Sequence, residues 1–168
     1  MRCAAATSRQ KCPLQHRKLE TFITLSHFWA GCNKGLFFIA VLPKTKGAYE
    51  PFVKRADIVK FSEDELLDFT GISGIDAAAE SLCDKDKLIL VTLGKNGSAY
   101  YFNGEKGVVP SEYKCKSVDT TGAGDAFFGA FLAAIENKKP TKENIVSAMR
   151  KGNEKGAKTT EFFGAIKL

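Results

Sequence analysis

The stretch Val118-Asp-Thr-Thr-Gly-Ala-Gly-Asp125 runs straight into a nearly unbroken apolar segment, residues 126–135. It reads as a strand end, a glycine turn and a long buried helix. The first turn of a helix has backbone N–H groups with no intrahelical acceptor, and the positive end of the helix dipole lies there too. Together they make an anion site. Glycine at 122 and 124 lets the backbone approach a ligand with no Cβ in the way. Asp125 is the unusual member, because it puts a carboxylate in the mouth of that site. A passive phosphate cradle has no use for a negative charge. A site that takes a proton from a hydroxyl while holding a phosphoryl group does. The plainer alternative is a helix-start carboxylate favoured by the dipole alone.

The rest of the chain reads as strands alternating with helices, which means an α/β layered, mostly parallel sheet with flanking helices. Residues 35–42 (Gly-Leu-Phe-Phe-Ile-Ala-Val-Leu, ended by Pro43), 56–61 and 88–93 are short apolar runs of the kind buried on both faces of a sheet. Ser62-Glu-Asp-Glu65 opens a helix with the Ser-x-x-Glu capping box, and Gly71 stops it. A second short helix is expected over 76–82. Gly94-Lys-Asn-Gly97 is a turn into a strand at 98–102, and Asn103-Gly104 predicts a hairpin whose return strand passes Val108 and Val109. Residues 113–118 are expected as the strand feeding the glycine turn. The motif helix is expected over 125–136, apolar nearly all round and therefore buried. Thr141 caps a last helix over 142–156, and residues 162–166 are a loop or short strand. Residues 1–34 show no clear period and stay unassigned, so the domain is expected over 35–168.

At 168 residues, 44% of them hydrophobic and 26% charged, the chain has material for one domain with a proper core. Its net charge of +6 is scattered, without the basic stripe interleaved with aromatics that nucleic-acid binding asks for. Five cysteines form no C-x-x-C pair and, with two histidines, no metal-ligand spacing. An odd count suggests reduced thiols and a cytoplasmic protein. No stretch reaches the roughly 18 continuous apolar residues of a membrane span, and the basic N-terminus lacks a secretory apolar region, while its Arg, Ser and Thr without acidic residues leave a transit peptide as an open alternative. The P-loop pattern is absent, Gly122-x-Gly124-x-x-x-x-Gly129 has the wrong spacing for a dinucleotide fingerprint, and there is no Gly-x-Ser-x-Gly elbow.

Asp119-Thr-Thr-Gly-Ala-Gly-Asp125-Ala-Phe-Phe-Gly-Ala resembles the C-terminal signature of the ribokinase-like (PfkB-type) sugar kinases. Other stretches are similar to that family in order and spacing. They are Ala56-Asp-Ile-Val-Lys-Phe-Ser-Glu-Asp-Glu-Leu66, Val91-Thr-Leu-Gly-Lys-Asn-Gly97, and Gly152-Asn-Glu-Lys-Gly-Ala-Lys-Thr-Thr160 followed by Gly164-Ala-Ile. Lys-x-Ser-Glu-x-Glu-Leu is most like the fructokinase branch. The resemblance covers about residues 56–166. It implies ATP-dependent phosphoryl transfer to a sugar hydroxyl, with Asp125 as the base and the N–H groups of Gly122, Ala123 and Gly124 as the anion hole. It further implies that Ser62, Thr92, Gly94, Gly97 and Asn153 line the nucleotide. Glu65 would organise Mg2+ and its waters, and Asp119, Thr121 and Gly164 would border a monovalent cation such as K+. Each has a bland counterpart: a capping box for Ser62 and Glu65, an ordinary strand-end turn for Thr92 to Gly97, a helix polar residue for Asn153.

The chain also departs from the family. Leu42-Pro-Lys44 stands where the family has Asp-Pro-Asn, Ser62 stands where it usually has Asn, and Phe162-Phe163 stands where a basic or small polar pair is common. The early sugar-binding residues and the β-sheet lid have no counterpart. The expectation is therefore the nucleotide-binding part of such a kinase, with little activity alone. The part lacking its other half is expected to leave sheet surface uncovered and to self-associate through it. A kinase for a nucleoside or another sugar, and a non-catalytic nucleotide-binding or interaction domain, remain open alternatives. No nucleic-acid or membrane partner is expected.

Overall fold

The structure is a computed structural model and describes residues 38–40 and 46–164. Residues 1–34, the ends of the 35–42 run and residues 165–166 lie outside that range. Five strands form one sheet in the order β1 (Phe38–Ala40), β2 (Ile58–Ser62), β3 (Leu88–Thr92), β4 (Ser98–Phe102) and β5 (Glu105–Val109). Pairing is parallel from β1 through β3 and antiparallel from β3 through β5. The change of direction has a local cause. Two tight turns, at 94–97 and 103–104, fold the chain back without a crossover helix. Asn103 and Gly104 both take positive φ, 49° and 78°, as a tight Asn-Gly hairpin requires.

Alternation along the strands sorts the core into two layers. Val59, Phe61, Ile89, Val91, Ala99 and Tyr101 face one way, onto α1 (Lys46–Arg55), α2 (Glu63–Thr70) and α3 (Ile75–Glu80). Ile58, Leu88, Leu90 and Tyr100 face the other way, onto α4 (Ala123–Ile135) and α5 (Lys142–Thr159). Burial on both faces explains why these strands read as continuous apolar runs. Among the described residues each face carries a packed layer, while Val108 on the last strand, β5, is 63% exposed.

The caps behave as the sequence predicts. The Ser62 hydroxyl accepts from the Glu65 N–H, and the Glu65 carboxylate accepts from the Ser62 N–H at 2.6 Å. Gly71 ends α2 in the left-handed region, and the Thr141 hydroxyl caps α5. Helix α1 has no counterpart in the sequence reading, and it forms with Pro51 inside it, a residue that disfavours helix interiors.

Residues 113–118 correct the sequence reading: they form no strand. Their alternation is real, but no strand pairs with them. The segment is held instead against the end of α5. The Val118 and Asp119 N–H groups both donate to the Thr160 carbonyl, at 2.7 and 3.1 Å. The Tyr113 hydroxyl donates to Glu161, and Cys115 touches the Thr160 hydroxyl.

Gly97 has φ 101°, and a Cβ there would lie 2.2 Å from the Val109 carbonyl oxygen and 2.6 Å from the Ser111 nitrogen. Gly94 also has positive φ, 54°, but open space around it. Gly97→Ala should therefore cost about 3 kcal/mol, strain plus overpacking, and Gly94→Ala only about 1 kcal/mol. Urea unfolding of the two variants checks this, and equal midpoints would remove the packing account of Gly97.

Candidate active site

The site assembles where β2 and β3 end, the usual place for ligands in an open α/β sheet. Ser62 and Thr92 are register partners at the carboxyl ends of these parallel strands, and Thr92 pairs onward with Ser98. The turn after Thr92 is closed by Leu93 N–H to the Gly97 carbonyl at 2.8 Å and Gly97 N–H to the Gly94 carbonyl at 3.2 Å. Ser62, Thr92, Gly94 and Gly97 are thus brought to one edge of the sheet.

Gly122 is the N-cap of α4, left-handed at φ 78°, and no side chain caps this helix. Its first-turn N–H groups have no intrahelical acceptor. Of the predicted anion hole, the Ala123 N–H donates to the Thr120 carbonyl at 3.2 Å. Asp125 sits in the first turn, exposed, with no hydrogen bond or ion pair among the described residues.

The structure adds a residue that the motif reading gave no role, Lys60. It lies on β2 among Ile58, Leu88 and Leu90, on the α4 side of the sheet, and is only 6% exposed. Its ammonium is 3.4 Å from Glu65 Oε2. A Cβ at position 124 would lie 3.0 Å from that ammonium, so Lys60 reaches the glycine turn itself. The signal was visible in the sequence: one cation inside the apolar run Ile58-Val59-Lys60-Phe61, on a strand buried on both faces.

Asp119, Thr121 and Gly164 also come together. Asp119 Oδ1 accepts from the Thr121 N–H at 2.9 Å and from its hydroxyl at 2.7 Å, while Oδ2 accepts from the Gly164 N–H at 2.9 Å. Among the described residues no group of three or more His, Cys, Asp or Glu could hold a metal ion.

Asn153 is buried behind the turn rather than set at the strand ends. Its carbonyl oxygen accepts from the Ser98 hydroxyl at 2.9 Å, and its amide donates to the Val109 and Pro110 carbonyls at 2.9 and 3.4 Å. An open groove of 270 Å³ flanks it, lined by Pro110, Glu112, Tyr113, Arg150, Lys151 and Glu154, and contains none of the predicted site residues.

The hydrogen bonds from Gly164 and Thr121 hold the Asp119 carboxyl below its ordinary value of 3.8. A lowered folded-state value means the clamp is complete above 3.8 and is lost as the pH falls through a lower value. In an NMR titration the Gly164 amide should shift with a midpoint below 3.8. A midpoint at or above that value would contradict the clamp.

Comparisons with known proteins bear on the family and the fold. The family described as pfkB family carbohydrate kinase matches residues 20–167. Fructokinase-1 of Zea mays is 45% identical over 118 residues, covering 67% of this chain and 36% of the maize protein. Fructokinase of Vibrio cholerae, solved with fructose, ADP and calcium, superposes with a TM-score of 0.67 at 33% identity, over 71% of this chain and 40% of that one. Aminoimidazole riboside kinase of Salmonella enterica, solved with its riboside and an ATP analogue, superposes with a TM-score of 0.66 at 26% identity, over 76% of this chain and 46% of that one. The chain spans less than half the length of each of these relatives. Among the described residues no helix is long and apolar enough to cross a membrane. With a family match that begins at residue 20 and runs through the strand ends, the glycine turn and both long helices, this chain belongs to the pfkB family of carbohydrate kinases.

Proposed function

We propose that this chain carries the nucleotide and phosphoryl side of a sugar kinase, which moves the terminal phosphoryl group of ATP to a sugar hydroxyl, fructose being the first acceptor to try. One observation carries the reading. A carboxylate, Asp125, stands in the first turn of an uncapped helix whose glycine turn is reached by a buried ammonium. An anion is attracted there and a proton acceptor waits beside it. In the proposed step the sugar hydroxyl oxygen forms a bond to the terminal phosphorus as its proton passes to Asp125. The bond from that phosphorus to the bridging oxygen breaks, and its electron pair leaves with ADP. The N–H groups of Gly122 and Gly124 carry charge on the transferred group, and that of Ala123 joins them on leaving the Thr120 carbonyl.

Ser62, Thr92, Gly94 and Gly97 border the nucleotide in this reading. Asn153 acts by position, since its amide already bonds Ser98 and the 109–110 carbonyls. The donor set suits Mg2+ arriving with the nucleotide, because such an ion is held largely by phosphate oxygens and water with one or two carboxylates. Glu65 is the carboxylate available for that, and the ion would neutralise phosphate charge. We route no step through a monovalent cation, since both Asp119 oxygens already take protein donors. Alone, the chain is expected to bind ATP weakly and to phosphorylate sugars negligibly, because it spans 36% of a relative such as the maize fructokinase.

Titration of ATP by calorimetry, followed by a coupled assay of fructose-dependent ADP release, tests this. Asp125→Asn should retain or tighten ATP binding, since a repelling charge is removed, and lower any sugar-dependent turnover about 10²- to 10⁴-fold. Absence of ATP binding would sink the reading. ATP binding with turnover indifferent to Asp125→Asn would leave a nucleotide-binding domain only. Ribose and a riboside in place of fructose separate the acceptor classes.

A further inference from the structure

Lys60 presents a problem that the catalytic reading leaves unsolved. Its ammonium is buried in an otherwise apolar layer, and it reaches the glycine turn at the start of α4. That end of the helix is itself positive. A buried cation against a positive helix end is repulsive unless an anion lies between them. The compensation present is thin. Lys60 has three N–H donors, and its one hydrogen bond among the described residues is to Glu65 Oε2 at 3.4 Å. That same oxygen takes the Ser62 N–H at 2.6 Å, the tighter of the two bonds.

We infer that Lys60 and Glu65 form an exchangeable pair. With the site empty, the Glu65 carboxylate neutralises Lys60. When the nucleotide enters, the Lys60 ammonium moves to its terminal phosphoryl oxygens, which releases the Glu65 carboxylate to the divalent cation accompanying the nucleotide. The geometry provides for both ends of the exchange. Lysine is a flexible point charge, and the turn it must reach is already beside it. The capping box keeps Glu65 in place after the lysine leaves, because the Ser62 N–H continues to hold it. Lys60 is then the group that makes anion binding and cation binding at this site favour each other. The inference rests on the kinase reading above and deepens it.

The test uses the full chain and inorganic triphosphate, which has phosphate chemistry but no base, with adenosine as the complementary probe. Calorimetric affinities are compared for the unaltered chain, Lys60→Met, Glu65→Gln and the double variant, each in chelator and in Mg2+. In chelator, Lys60→Met should weaken triphosphate binding about tenfold or more, the loss expected of a charged hydrogen bond. Glu65→Gln should tighten it, because Lys60 is no longer held back. The double variant should be as weak as Lys60→Met, since Glu65 acts through Lys60. Mg2+ should improve triphosphate binding by the unaltered chain and not by Glu65→Gln. Adenosine affinity should stay constant throughout. Lys60→Met leaves the partly buried Glu65 carboxylate without its cation, held by the Ser62 N–H alone, and is liable to lower stability; the double variant removes both charges and then carries the test. Triphosphate bound equally by the unaltered chain and the double variant overturns the exchange, as does Glu65→Gln weakening binding in chelator. If the unaltered chain binds neither triphosphate nor ATP, the kinase reading itself has failed. If it binds both and the variants match it, only the exchange has failed.

Discussion

Among the described residues no strand leads into the glycine turn at 122–124, and its position depends on the carbonyl of Thr160. That one oxygen accepts the N–H groups of Val118 and Asp119, and the Asp119 side chain then fastens Thr121 and Gly164 around it. In many α/β proteins the residue before a phosphate-binding turn is locked by a sheet ladder. Here the ladder stops at β5, and the chain crosses from the sheet to α4 along the end of α5. The first turn of α4 is therefore only as well placed as the packing of α4 on α5. That packing is close: a Cβ at 152 would lie 2.8 Å from the Phe127 ring, and one at 156 would lie 3.0 Å from the Ala123 carbonyl.

Much of this was legible in the sequence because the signals were local. A capping box needs only its four residues, and Asn103-Gly104 needs only its own backbone preference. Strand β4 falls at 98–102, as its flanking turns require. The apolar runs announced burial on both faces, and the two core layers supply it. The local geometry of the candidate site was legible where a contiguous motif carried it: Gly122 starts α4 as a left-handed cap, and Asp125 falls in its first turn.

What could not be read was decided by partners distant in sequence. Residues 113–118 have a strand's alternation, but a strand exists only if another accepts its hydrogen bonds, and the acceptor proved to be the end of a helix. Helix α1 contains Pro51, yet Val53 packs that helix into the core, so tertiary burial outweighs a local penalty. Lys60 appeared as an isolated charge; its meaning needed Glu65 on one side and Gly124 on the other. Asn153 reads in the sequence as a nucleotide-side residue or a plain helix polar one, and the structure shows it crosslinking α5 to the β4–β5 hairpin.

The shared carbonyl of Thr160 also bears on the order of assembly. The elements that come together at the candidate site lie at residues 60–65, 119–125 and 160–164, and no short segment contains them. The hairpin of β4 and β5 and the capped helix α2 can form from neighbours in the chain. The glycine turn has nothing to dock on until α5 has been made and laid against α4. Ordering it is a late event that closes a long loop, of the kind that slows folding and opens readily afterwards. The anion site would thus be the region where binding a ligand changes the local dynamics most.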